Sequence, residues 1–182
     1  MSRGPRLAAF VVTLLAISGC AARATPPAAA YSGPPCDAGE QVDTRSWEEV
    51  RLVSFTFRLP PGYRNLNARG IDSYVASWRG REGQEIHADY GEYNAPADER
   101  APGVVVCQKQ DGSSAPQIAF FRTAGPKLGA ALYWVASGGT GPPEREAAHP
   151  TTLRMSVSSP REQDLAELLA IVRSVRRVTE AR

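Results

Sequence analysis

Between Leu153 and Val175 the chain changes period without a break, and that change limits the folds open to it. Leu153, Met155 and Val157 alternate with Arg154, Ser156 and Ser158, the two-residue repeat of a strand with one dry and one wet face. Ser159-Pro160-Arg161-Glu162 then has the form of a capping box with proline at the first helical position. Behind it Leu165, Leu168, Leu169, Val172 and Val175 recur at helical spacing. That apolar stripe must cover one face of a sheet.

The same alternation occurs upstream, where Val53, Phe55, Phe57 and Leu59 interleave with Ser54, Thr56 and Arg58 until Pro60-Pro61-Gly62 stops the run. Ser73 to Arg79 reads as a strand with Tyr74, Ala76 and Trp78 on one side. Glu85 to Tyr90 reads as the next, joined to it by a turn at Gly80 to Gly83. Val104 to Gln108 and Ile118 to Arg122 are short β-branched and aromatic runs linked by Asp111-Gly112-Ser113-Ser114, and Ala130 to Ser137 is a further strand. Asn94 to Pro102 and Gly138 to Pro150 are loops, and no internal repeat is evident. The expected fold class is α+β: an antiparallel sheet of about six strands covered by an amphipathic C-terminal helix.

The N-terminus has a different character. Arg3 and Arg6 precede an uncharged apolar run from Leu7 to Ile17, followed by Ser18, Gly19 and Cys20, the layout of a secretory signal peptide. A spanning helix needs about 20 apolar residues, roughly twice what Leu7 to Ile17 supplies. Ile17-Ser18-Gly19-Cys20 resembles the bacterial lipobox. The resemblance implies cleavage before Cys20 and a diacylglycerol thioether on its sulfur, hence a bacterial lipoprotein anchored to a membrane. It divides the chain into a signal peptide (1–19), a lipidated cysteine and Ala/Pro-rich tether (20–46) and one globular domain (47–178). Ala21 is not the aspartate that serves as a retention signal in enteric bacteria, which favours the outer membrane facing the periplasm.

Charge narrows the partners. The full chain has 21 Lys+Arg and 19 Asp+Glu, and loss of Arg3 and Arg6 with the leader leaves nineteen of each. Nucleic-acid binding normally needs a basic surplus on one face. Arg173, Arg176 and Arg177 are the one such cluster the sequence suggests, and they read as a solvated helix end, so no nucleic-acid partner is expected.

The order of elements, an alternating strand ending in Leu59-Pro60-Pro61-Gly62-Tyr63, a meander of strands, and a last strand feeding a helix over Leu165 to Arg176, resembles the PsbP-like α/β/α sandwich. That family includes photosystem extrinsic subunits and small bacterial lipoproteins. The resemblance spans most of Trp47 to Val178 and implies an accessory or assembly role. The chain departs from the family at Arg64 to Asp72, which is short and contains Gly70, so a second long helix is not expected there. Another small antiparallel α+β domain is the alternative.

Few residues offer chemistry. With Cys20 lipidated, Cys36 and Cys107 remain as one possible pair in an oxidising compartment, or as two independent thiols. Glu85, His87 and Asp89 share one strand face, where a carboxylate beside an imidazole could orient a base or contribute to a metal site, or simply form a wet face. His149 lies in a loop. No nucleophile has a recognisable setting: Ser137-Gly138-Gly139 is not a G-x-S-x-G elbow, and Gly138 to Gly141 leads into Pro142-Pro143 instead of a helix. No catalytic residue, metal or cofactor is therefore assigned. Tyr63, Tyr74, Trp78, Tyr90, Tyr93, Tyr133 and Trp134 are either core or, where several share a surface, suited to ligand or protein contact. The expected function is a non-enzymatic binding or accessory module, its partner a protein or small ligand. The alternative is a metal-dependent or hydrolytic enzyme centred on His87.

Overall fold

The computed structural model describes residues 35–112, 114–122, 127–136 and 151–178. The leader, the lipobox with Cys20, Ser137-Gly138-Gly139, the Gly138 to Pro150 loop and His149 lie outside the described residues. Those that are described form two antiparallel sheets and one α-helix, an α+β arrangement. The small sheet has the order β1-β2-β10, built from β1 (Glu48–Leu52), β2 (Phe55–Leu59) and β10 (Arg176–Arg177). The large sheet contains β3 (Arg64–Asn65), β4 (Tyr74–Arg79), β5 (Glu85–Gly91), β6 (Val104–Gln108), β7 (Gln117–Arg122), β8 (Leu128–Val135) and β9 (Thr152–Ser159). Its order is β3-β4-β5-β9-β8-β7-β6, so β9 lies in the middle.

The expected strand count is thus corrected from about six to ten among the described residues. Two of the additions, β3 and β10, are two residues long and cannot carry a two-residue repeat. A third, β1, is polar at its start, where Glu48 and Glu49 are exposed. The run from Val53 to Leu59 is also not one strand. Val53 and Ser54 turn the chain between β1 and β2, with Leu52 opposite Phe55, although neither is a usual turn-former.

Alternation then does what period-2 patterning requires. Phe55, Phe57 and Leu59 of β2 are buried, with Phe55 against Tyr90 and Trp134 and Phe57 against Trp78 of the large sheet. Leu153, Met155 and Val157 of β9 are fully buried beneath α1 (Leu165–Arg173). The helix packs on β7, β8, β9 and β2, and its expected stripe of Leu165, Leu168, Leu169, Val172 and Val175 is buried throughout. Each fully buried Leu, Ile or Val contributes about 1.5–3 kcal/mol. The helix and small sheet therefore share one face of the large sheet.

The outer side of α1 is covered too. Ala38 is completely buried, and Arg173 donates to the carbonyls of Cys36 and Ala38. At Gly39, φ is +87° and a Cβ would come within 2.8 Å of the Ala166 oxygen and the Ala170 nitrogen. Only glycine lets the backbone approach the helix so closely.

The expected capping box does not form. Ser159 stays in β9, where its hydroxyl donates to Asp164 at 2.5 Å and accepts from the Arg161 N–H at 3.1 Å. Glu162 pairs with Arg122 at 2.5 Å instead of returning to the helix start. A 3-10 turn (Glu162–Asp164) leads into the helix, and buried Asp164 collects further bonds from Gln84 and Arg161. This network ties the β4–β5 hairpin to the start of α1. No helix among the described residues is long and apolar enough to cross a membrane.

Candidate functional site

Three of the seven singled-out aromatics converge. Tyr74 and Tyr90 are directly opposed across β4 and β5, and Tyr93 follows two residues beyond β5. Tyr90 is fixed from below: its ring meets Phe55 edge-on at 6.2 Å, and its hydroxyl lies 3.4 Å from that of Ser54. Tyr74 and Tyr93 remain 53% and 80% exposed.

Two aliphatic residues complete the rim. Ile71 protrudes entirely into solvent from the β3–β4 connection, and Val53 projects from the β1–β2 turn. With Asp72, Ser73, Gly91, Glu92 and Thr151 they enclose an open cleft of about 730 Å³, within the size range of ligand sites. Two carboxylates and no basic residue line it. Val53 has φ +52°, a left-handed conformation that is a genuine outlier for a β-branched residue. Strain of this kind costs about 1–3 kcal/mol and concentrates at functional sites.

The other four aromatics serve packing. Trp78 is buried against Phe57 at 5.2 Å, Trp134 packs on Phe55 at 5.5 Å, and Tyr133 is buried. Tyr63 donates a 2.8 Å hydrogen bond to Glu167 on α1. Burial, reinforced by the Glu167 charge, raises the Tyr63 hydroxyl well above the ordinary tyrosine range. Burial likewise raises Glu167 above its ordinary value, partly offset by the Tyr63 hydrogen bond.

Glu85, His87 and Asp89 do share a face of β5, the one turned away from α1, but each has separate surroundings. Glu85 is paired with Arg79 at 3.2 Å and Lys127 at 3.5 Å. His87 is exposed and its Nδ1 lies 3.0 Å from the Ser77 hydroxyl, a contact between strands that the sequence spacing did not reveal. Asp89 Oδ1 is buried without a hydrogen-bond partner among the described residues. Among the described residues no group of three or more His, Cys, Asp or Glu is arranged to hold a metal ion.

The Cys36 and Cys107 sulfurs are at bonding distance, 2.17 Å, with their Cα atoms 5.1 Å apart. Cys107 stands on β6 at the edge of the large sheet. There the register slips between Val106 and Gln108, leaving Cys107 as the extra residue of a bulge. A bulge re-aims the side chain it carries, here towards the 3-10 turn (Pro35–Asp37) that contains Cys36.

No family model matches the chain, and no curated protein or solved structure matches it either.

Proposed function

We propose that this chain is a lipid-anchored, non-enzymatic binding or accessory module of the bacterial envelope, and that it engages its partner through the cleft of Tyr74, Tyr90 and Tyr93. The cleft is the observation that carries the reading. Tyr rings offer large contact area at low conformational cost, and they are enriched where proteins bind. The lipobox at Ile17 to Cys20 supports anchoring through Cys20, and Ala21 supports the outer membrane with the domain in the periplasm. Leu59-Pro60-Pro61-Gly62-Tyr63 and the helix after β9 support a PsbP-like domain within the α+β class.

The test compares native-membrane purifications of the wild-type protein and a Tyr74→Ala/Tyr93→Ala variant. Both residues are exposed, so the variant keeps its core. A partner or ligand retained by the wild type and lost by the variant supports the cleft. Identical recovery in both excludes it as the binding surface.

The Ser77–His87 contact favours a second reading, a hydrolytic or metal-dependent enzyme centred on His87. A base needs a nucleophile within hydrogen-bond reach, and Ser77 meets that distance. His87 stands on an exposed strand face and does not line the tyrosine cleft. Ester hydrolysis by the purified protein that disappears in both Ser77→Ala and His87→Ala would establish this reading over the first.

A further inference from the structure

The opposite end of β4 carries a concentration of positive charge that the fold does not need. Arg64 of β3 and Arg79 of β4 are register partners. Side chains directly opposite in an antiparallel pair lie on the same face with Cβ atoms roughly 5 Å apart, and like charges there repel. Arg81, in the β4–β5 turn, adds a third guanidinium: its Nε lies so close to Gly62 that a Cβ there would approach within 2.7 Å. The three arginines, all exposed, line a cleft of about 480 Å³ whose remaining walls are Gly62, Tyr63, Gly80 and Gly83.

Compensation is sparse. The Glu85 carboxylate serves both Arg79 and Lys127. Glu82, next to Arg81 in sequence, is taken by Arg161. Among the described residues neither Arg64 nor Arg81 has an acidic partner, and no acid lines the cleft. Gly62 lets the Arg81 side chain lie against the backbone at the cleft. Guanidinium forks match the geometry of a tetrahedral oxyanion and bind it bidentately.

We infer that this cleft is a binding site for a phosphate-class oxyanion, held between Arg64 and Arg81 with Arg79 closing one side. The same chemistry is presented by free phosphate and by the headgroup of an anionic phospholipid. The inference is independent of the tyrosine cleft, which lies at the other end of β4.

Calorimetric titration of the full-length protein with inorganic phosphate, against chloride at equal ionic strength, tests the first source. Saturable binding is expected, weakened at least tenfold in Arg64→Gln/Arg81→Gln. In Arg81→Lys, which keeps the charge and loses the fork, the affinity falls between the two. Sedimentation with phosphatidylglycerol and with phosphatidylcholine vesicles tests the second. The difference between the two lipids is the readout, because a lipid anchor contributes equally to both. An arginine-dependent preference for phosphatidylglycerol without phosphate binding assigns the site to a headgroup. If the double variant matches the wild type in both assays, or neither assay detects binding, the inference is wrong.

Discussion

At the scale of single residues, two positions hold energy the fold alone does not explain. Val53 adopts φ +52° while its side chain faces the tyrosine cleft. A left-handed conformation costs an ordinary L-residue about 1–2 kcal/mol, and Asn tolerates it better. Val53→Asn should therefore raise unfolding free energy by about 1 kcal/mol in denaturant titration. If Val53 serves the cleft, the same change lowers ligand retention, so stability and binding move in opposite directions. Unchanged or reduced stability would mean that its surroundings relieve the strain. Glu167 is the second position. Its folded value is raised above the ordinary 4.5, mainly by burial, so the folded state holds the proton more tightly than the unfolded chain. Stability from this group is complete below pH 4.5 and is lost as pH rises through the folded value. Glu167→Gln keeps an acceptor for Tyr63 and cannot ionise. The variant should gain on the wild type as pH rises from 4 to 7, seen as a growing difference in melting temperature; a constant difference would contradict the linkage. Tyr63 adds the same sign at the alkaline end, losing its contribution as pH climbs above 10.

At the scale of elements, legibility followed periodicity. β5, β9 and α1 were readable because each has one wet and one buried side, and burial of Leu153, Met155, Val157 and the helix stripe matches the pattern. The β1–β2 hairpin was not, since its turn is Val53-Ser54 rather than a Gly- or Asn-containing pair, and the apolar alternation runs straight through it. β3 and β10 exist only because Arg64–Asn65 and Arg176–Arg177 come to rest beside longer strands, which is tertiary information. The capping box fails because the Ser159 hydroxyl is engaged by Asp164 and the Arg161 N–H, while Glu162 is drawn to Arg122. The site was less legible than the fold. The tyrosines were flagged as a group, yet Ile71, Asp72 and Glu92 join them only through loops, and the one local signal was an isolated apolar Ile71 in a polar connection. Cys36 and Cys107 were readable as a possible pair, but the bulge that aims Cys107 was not. Their bond closes a separation of 71 residues, for which chain entropy suggests a contribution of about 4 kcal/mol. Cys36→Ser/Cys107→Ser should lower the unfolding free energy by that order and free residues 35–40 from the edge of β6. Mass spectrometry of unreduced peptides should find the two cysteines joined, and two free thiols in envelope-derived protein would exclude the pairing.

At the scale of the whole molecule, the placement of chain and clefts bears on how an anchored protein would work. The first described residue, Pro35, belongs to a 3-10 turn that contacts β6 and β7 at one side of the large sheet. Both clefts lie at the other side, along β4 and its connections. With neighbouring strands about 4.8 Å apart, five steps from β6 to β4 separate them by roughly 24 Å. Pro35 therefore lies far from both clefts, which suits the proposed anchoring through Cys20. On the lipoprotein proposal, anchoring depends on one atom, the Cys20 sulfur. Each acyl CH₂ buried in lipid contributes about 0.8 kcal/mol, so two or three chains hold a protein in the membrane where one does so only marginally. Cys20→Ser removes the thiol on which the thioether forms. The variant should incorporate no labelled fatty acid, escape cleavage by the lipoprotein peptidase and keep its longer leader on a denaturing gel. Cys20 precedes every described residue, so on this reading the melting temperature should equal that of the wild type. Fatty-acid labelling that persists in Cys20→Ser would refute the lipoprotein reading, and a shifted melting temperature would mean that the residues before Pro35 take part in the fold.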